Sequence, residues 1–219
     1  MKSKLAMAAL SMAFALMASA QKSVPVYLNP DAPIEARVQD ALKRLTVHEK
    51  VKLIHAQSMF TSAGVPRLGI RQLNMDDGPH GVREELVWNS WGTAQWTNDS
   101  ICAFPSLTCL AATWNRDLAG EYGHAVSEEF AFRGKDVILG PGTNICRVPL
   151  NGRSFEYMGE DPYLAGEMAL PYIKRAQANG VACCLKHFAL NNQEADRFTV
   201  NVNVGERALR EIYLSAFKK

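Results

Sequence analysis

From Pro33 to Gln57 apolar residues recur at helical spacing, in two stretches. Ile34, Val38, Ala41, Leu42 and Leu45 form the first. Thr46 opens the second: Glu49, three positions on, completes a capping box, and Val51, Leu53 and Ile54 follow it. Ile70 to Met75 predicts a short strand that runs into a turn at Asp76-Asp77-Gly78-Pro79. Asn115 is placed to cap a long helix that reaches Phe132 and is stopped by Gly134. Asp136 to Leu139 predicts a strand, broken by Gly140-Pro141-Gly142. Asp161-Pro162 starts another helix, with a capping residue and Pro in the first turn, and Gly180 ends it. The unbroken apolar run Val181 to Leu185 predicts a strand of a parallel sheet covered on both faces. Thr199 to Val204 alternates polar and apolar, and Glu206 to Phe217 is a final amphipathic helix.

Strands alternating with helices at this spacing imply an α/β fold. A closed (β/α)8 barrel takes about 250 residues. This chain has 219, with three or four strand candidates and no closing element before Lys219. The expectation is therefore the N-terminal part of a (β/α)8 TIM-like barrel, truncated before closure. Residues 1–20 read as a signal peptide, 21–33 as an extended arm and 34–219 as the partial barrel domain.

The leader rests on Lys2 and Lys4, the apolar run Leu5 to Met17, and the small residues of Ala18-Ser19-Ala20. That run is short of the roughly 20 residues a membrane-spanning helix needs. An exported protein, periplasmic or extracellular, is the expectation, and no membrane span is. Formal charge is +2, from 24 Lys+Arg against 22 Asp+Glu, and the two leader lysines account for the excess. A balanced chain has no electrostatic drive toward nucleic acid, so none is expected as a partner. Five cysteines leave at least one without a partner in the chain. Cys183 and Cys184 read as small buried hydrophobes, and Cys102 and Cys109 stand close enough in sequence to bridge across Pro105. No Cys-x-x-Cys or His-x-x-x-His spacing points to a metal, and no cofactor is called for. Asn98-Asp99-Ser100 is a formal glycosylation sequon to which no weight is given.

Candidate chemistry gathers just past the C-terminal ends of the strand candidates, the edge at which barrels and open α/β sheets bind ligands. Asp77 and Arg83 follow the first strand, Arg147 and Arg153 the second, and Lys186, His187 and Arg197 the third. Any one of them alone is more simply a solvated loop charge. Seven after three different strands form a set rich in donors, suited to a hydroxyl-rich ligand. Lys186-His187 closing an apolar strand needs polar partners, which Asp77 or a ligand can supply. Gly140-Pro141-Gly142 does not open a dinucleotide fingerprint, because Ile145 stands where the third glycine belongs.

Three blocks together resemble glycoside hydrolase family 3, in its β-glucosidase branch. They are Asp77-Gly-Pro-His-Gly-Val-Arg83, then Gly140 to Pro162 with Arg153 at its centre, then Lys186-His-Phe-Ala-Leu-Asn-Asn-Gln-Glu-Ala-Asp-Arg197. The resemblance covers nearly all of Ile34 to Phe217. It implies a retaining exo-glycosidase that removes terminal β-D-glucosyl residues from a β-glucoside or oligosaccharide. It also implies that Asp77, Arg83, Arg153, Lys186, His187 and Arg197 bind the sugar. The family's nucleophile, an Asp in a Ser-Asp-Trp-like stretch, has no counterpart here, because no Asp-Trp pair occurs. Nucleophile and acid/base are thus expected beyond Lys219, in a missing C-terminal part, and the chain alone is expected to be inactive. From the residues alone Asp77 and Glu156 can be nominated as the carboxylate pair, and the resemblance gives Asp77 a binding role instead. β-Xylosidase or arabinofuranosidase of the same family is the nearest alternative; Leu150-Asn151-Gly152-Arg153 stands where those relatives carry Trp-Gly-Arg. A non-catalytic carbohydrate-binding fragment is the alternative from another class.

Overall fold

A computed structural model describes residues 24–83 and 101–219. The leader and the sequon at 98–100 lie outside the described residues. The chain divides into two compact units, Met1–Val51 and Lys52–Lys219.

In the first unit a short 3-10 turn, Val26–Leu28, is tied to helix α1, Ile34–Arg44. The Tyr27 amide donates to Asp40 Oδ2 at 3.0 Å, and Arg37 Nε donates to the Tyr27 carbonyl at 3.2 Å. Helix α2, Val47–Leu53, opens on the expected capping box. The Glu49 amide donates to Thr46 Oγ1 at 3.2 Å, while the Thr46 amide donates to Glu49 Oε2 at 2.8 Å. No residue of α1 is buried, so its apolar stripe stays accessible in the described structure.

The second unit is a three-stranded parallel sheet in the order β1-β2-β3, with Met75–Asp77, Val137–Leu139 and Ala182–Cys183 as strands. Asp76 stands opposite Ile138 in the register, and Asp77 opposite Leu139. The strands follow the expected order but are shorter. The first is displaced: Ile70 makes only an isolated bridge to Val65, and the pairing begins at Met75. Asp76 and Asp77, expected in the turn, are therefore strand residues. Coverage of both faces is also not observed, for Ala182 and Cys184 are exposed while Val181 is buried. The helices pack against one face of the sheet among the described residues.

Three helices supply that layer: α3, Leu107–Ala112, α4, Arg116–Phe132, and α5, Pro162–Ala178. Both long helices begin as expected. Asn115 accepts from the amides of Asp117 and Leu118, and Asp161 from those of Tyr163 and Leu164. Val126, Phe130, Ile138, Met168, Tyr172 and Ala176 have no solvent exposure and form one cluster. Each large side chain there contributes roughly 1.5–3 kcal/mol by burial. Helices α4 and α5 approach closely at Gly123, where an added Cβ would fall 2.3 Å from the Tyr172 carbonyl oxygen.

Thr199 to Val204 forms no strand, and Val200 and Val202 are exposed. The last helix is interrupted: Glu206–Ala208 and Ser215–Lys218 are α-helical and flank a π-helical turn, Leu209–Tyr213. All five cysteines are free, with Cys102 and Cys109 exposed, so the bridge across Pro105 is absent. Cys184 is exposed and Cys183 half-buried, and the reading of both as buried hydrophobes is corrected accordingly. No described helix is long and apolar enough to cross a membrane.

Candidate functional site

β1 ends in Asp77 and turns at once through Gly78, whose φ of +129° an L side chain rarely adopts. A Cβ there would lie 1.7 Å from the Gly81 carbonyl oxygen, so the turn requires glycine. Helix α5 secures the turn from below: the buried Tyr172 hydroxyl donates to the Pro79 carbonyl at 3.0 Å. Beyond β2, Gly142 bridges to Tyr157 on one side and Lys186 on the other. That bridging draws the segment around Arg153 and the segment after β3 to the same edge as Asp77.

There the side chains form a chain of alternating charge. Lys186 Nζ donates to Asp77 Oδ1 at 2.6 Å and stands 3.3 Å from Glu156 Oε2. Glu156 is 3% exposed and is also bound by Arg153 Nε. Arg153 Nη1 is 3.8 Å from Glu194 Oε1, and Arg197 Nη1 donates to Glu194 Oε2 at 2.8 Å. Arg153, the residue preceding the 3-10 turn Ser154–Glu156, meets Glu156 three positions on, where side chains of a 3-10 turn nearly eclipse. Burying this many charges is tolerable because each meets an opposite one.

The pKa directions follow the network. Burial pushes the Asp77 carboxyl up, but Lys186, the Gly78 amide and Arg153 outweigh it and hold it below its ordinary 3.8. Burial lowers Arg153, and its carboxylate Glu156 more than reverses that. Burial, then the charges of Arg153 and Lys186, pull His187 down to about 3, so its imidazole is neutral at physiological pH. His187 is anchored by its backbone and its ring. Its amide donates to Asn144 Oδ1 at 2.7 Å, and its Nδ1 lies 3.1 Å from the Tyr157 hydroxyl.

A hollow of about 390 Å³ opens beside the network, lined among others by Asp77, His80, Arg83, Arg153, Phe155 and Glu156. Lys186 and His187 are not among its lining residues; Lys186 instead holds two of its carboxylates. His80 packs edge-on against Phe155, ring centroids 5.4 Å apart, and burial lowers its pKa.

Of the seven residues expected at this edge, Asp77, Arg153, Lys186 and Arg197 are joined through Glu156 and Glu194, with His187 beside them. Arg83 reaches the hollow but pairs with Asp76, Nε to Oδ1 at 3.3 Å, and its guanidinium lies 4.7 Å from the Phe60 ring centroid. Arg147 is drawn away: it donates to the Tyr213 hydroxyl. Sequence reasoning missed Glu194, Tyr157 and Asn144, and gave Glu156 no role as an ion-pair partner. The three-residue spacings Arg153/Glu156 and Glu194/Arg197 were the available signal. Among the described residues no group of His, Cys, Asp or Glu is placed to hold a metal ion.

The family described as "Glycosyl hydrolase family 3 N terminal domain" matches residues 87–219. Beta-glucosidase BoGH3A of Bacteroides ovatus is 62% identical over 92% of this chain and 27% of its own length. Thermostable beta-glucosidase B of Acetivibrio thermocellus is 44% identical over 83% of this chain and 24% of its own. The structure of beta-glucosidase 3B from Thermotoga neapolitana in complex with glucose superposes with a TM-score of 0.74, at 41% identity, over 83% of this chain and 27% of that one. The chain thus spans about a quarter of the length of these relatives.

Proposed function

This chain belongs to glycosyl hydrolase family 3, and from that premise we propose that it carries the sugar-binding half of the active site of an exo-acting, retaining β-glucosidase. The observation that carries the reading is the Lys186 ammonium held between Asp77 and Glu156 at the ligand-binding edge of the sheet. A terminal glucosyl unit presents neighbouring hydroxyls, each a donor and an acceptor. The Lys186 amine and the Gly78 amide both bind Asp77 Oδ1, which leaves the lone pairs of Oδ2 for hydroxyl protons. Lys186 donates one N–H to Asp77 and stands within ion-pair distance of Glu156, so its ammonium retains donors for a sugar oxygen. Arg83, Arg153 and Arg197 add donors, and neutral His187 adds a nitrogen that can give or take a hydrogen bond.

Retaining hydrolysis needs a nucleophilic carboxylate and a general acid about 5–5.5 Å apart. Asp77 and Glu156 are each already neutralised by a cation, which suits binding and blunts attack. In this reading the nucleophile and the general acid come from outside this chain. The three-stranded sheet is one part of a (β/α)8 barrel, and Met1–Ala20 is a signal peptide that exports the product to the periplasm or beyond.

The test uses the complete gene product, purified and assayed on aryl β-glucosides beside the β-xyloside and α-arabinofuranoside, with glucose binding followed by calorimetry. The expected result is turnover of the glucoside with retention, inhibition by glucose, and a mature N-terminus at Gln21. Preference for the xyloside or arabinofuranoside replaces the sugar, glucose binding without any turnover replaces the enzyme with a binding protein, and neither binding nor turnover overturns the reading.

A further inference from the structure

Asp76, the strand neighbour of Asp77, points to the opposite face of the sheet and has no solvent exposure. Among the described residues its carboxylate pairs with cations on both oxygens. Arg83 Nε is 3.3 Å from Oδ1, and Lys135 Nζ is 3.2 Å from Oδ2. Lys135 is itself 4% exposed, an unusual environment for a lysine. It follows Gly134, which ends α4, and its backbone amide donates to the Phe130 carbonyl at 2.9 Å. The lysine is thereby fixed at the entrance to β2, facing the middle of β1.

A buried ion pair is weak as a source of stability, since a well-packed apolar pair of similar volume does as well or better. What this one does have is a set of connections to the site. Asp76 Oδ1 accepts the Asp77 amide at 2.8 Å. The Arg83 amide donates to the Asp77 carbonyl at 2.9 Å. Both backbone polar groups of Asp77 are therefore held by the Asp76–Arg83 unit, and Lys135 grips the other oxygen of the Asp76 carboxylate from behind. Arg83 in turn lines the same hollow as Asp77.

We propose that Lys135 is a positioning residue: through Asp76 it sets both the Asp77 carboxylate and the Arg83 guanidinium for the sugar. The proposal rests on the functional reading above and deepens it, since it names what orients the acid and one of the bases of that site. Without Lys135, Asp76 has one fewer cation and draws Arg83 inward, away from the hollow, and the Asp77 backbone shifts with it. Displacements on the order of 1 Å in a binding group lower efficiency by up to about 100-fold.

The experiment compares wild type, Lys135→Met and the double variant Lys135→Met/Asp76→Asn in the complete gene product. Each is measured for melting temperature, for glucose inhibition constant, and for kcat and KM on an aryl β-glucoside. Lys135→Met is expected to raise KM and the glucose inhibition constant by about tenfold or more, with a smaller change in kcat. The double variant also removes the Asp76 charge, and should keep the raised KM whatever its melting temperature, because Arg83 is no longer held by Asp76. A Lys135→Met protein that loses stability while KM and glucose inhibition stay at wild-type values overturns the proposal. So does a double variant that recovers stability and affinity together. If Lys135→Met fails to fold, the double variant decides alone, and wild-type affinity in it overturns the proposal. A wild type that binds no glucose overturns the functional reading and this inference with it, whereas a wild type that binds beside unaffected variants overturns only the inference.

Discussion

The two ends of the sheet carry similar ion pairs put to different uses. At the N-terminal end Arg71 grips Asp136 with two hydrogen bonds, at 2.7 and 2.5 Å, and Asp136 Oδ2 also accepts the Asn74 amide at 2.8 Å. That pair stitches the segment entering β1 to the start of β2, and the Arg71 side chain is 69% exposed. At the C-terminal end the Lys186, Glu156 and Arg153 side chains are mostly buried, and their partners are other side chains at the rim of a hollow. A carboxylate that caps backbone amides is committed to the fold. One held by long, rotatable cations can exchange a contact for a ligand hydroxyl. The difference lies in what each charge is tied to rather than in the residue types.

Removing a cation tests the C-terminal end most severely. Lys186→Met leaves Asp77 and Glu156 as neighbouring carboxylates without their shared counter-ion. Breaking a buried pair in this way costs roughly 3–5 kcal/mol, to be read as a lower denaturation midpoint in urea. An unchanged midpoint would show that Lys186 contributes nothing to folding. Asp77→Ala should act mainly on activity in the complete gene product. Hydrogen bonds to a charged group contribute roughly 1.5–3 kcal/mol each, so loss of two should lower kcat/KM by about 150- to 20,000-fold. Added azide should not restore that activity; rescue with formation of an inverted glycosyl azide would make Asp77 the nucleophile.

Acid should act on the C-terminal end in two stages. The folded pKa of His187 is near 3 against an ordinary 6.5, so below 6.5 the unfolded chain takes up a proton the folded one refuses. Stability contributed there is complete above 6.5 and declines as pH falls toward 3. Asp77, also depressed, loses its contribution only below its ordinary 3.8. Urea midpoints measured across this range should therefore start to fall well before the carboxylates titrate, and His187→Gln should flatten the upper part of the curve. Identical slopes in both proteins would remove His187 from the account. The smallest effect is expected at the opposite end: Arg71→Ala should cost no more than about 1 kcal/mol, as exposed pairs do, with glucose affinity unchanged. A loss of affinity there would erase the contrast between the two ends.

The long helices were legible because each carries its own punctuation: Asn115 and Gly134 for one, Asp161-Pro162 and Gly180 for the other. The strands were not, because two or three residues are too few for a side-chain period to show. Their limits depend on pairing with segments some 60 residues away in sequence, as Asp77 pairs with Leu139. Thr199 to Val204 illustrates the converse, an alternating pattern that finds no strand to pair with. At the site, looking past the strand candidates picked out Asp77, Arg153, Lys186 and Arg197, which the structure joins in one charge chain. It could not foresee that Arg83 pairs with Asp76 or that Arg147 turns away to Tyr213, since those partners are set by which face of a strand or helix each side chain leaves. Asp76 and Asp77 look equivalent in sequence; one step along a strand makes one a support and the other a candidate ligand.

The charge chain at the hollow has a further property, its exact internal neutrality: Asp77, Glu156 and Glu194 are matched one for one by Lys186, Arg153 and Arg197. Such a set offers strong local dipoles but little field at a distance, because the contributions cancel beyond a few ångströms. An uncharged sugar loses nothing by this, as it is recognised at contact distance. A uronic acid or an amino sugar, by contrast, would be neither drawn in nor repelled from afar and would meet a mismatched charge only on arrival. The part this charge chain plays in encounter is consequently insensitive to ionic strength, and its discrimination between sugars is deferred to the last step of docking.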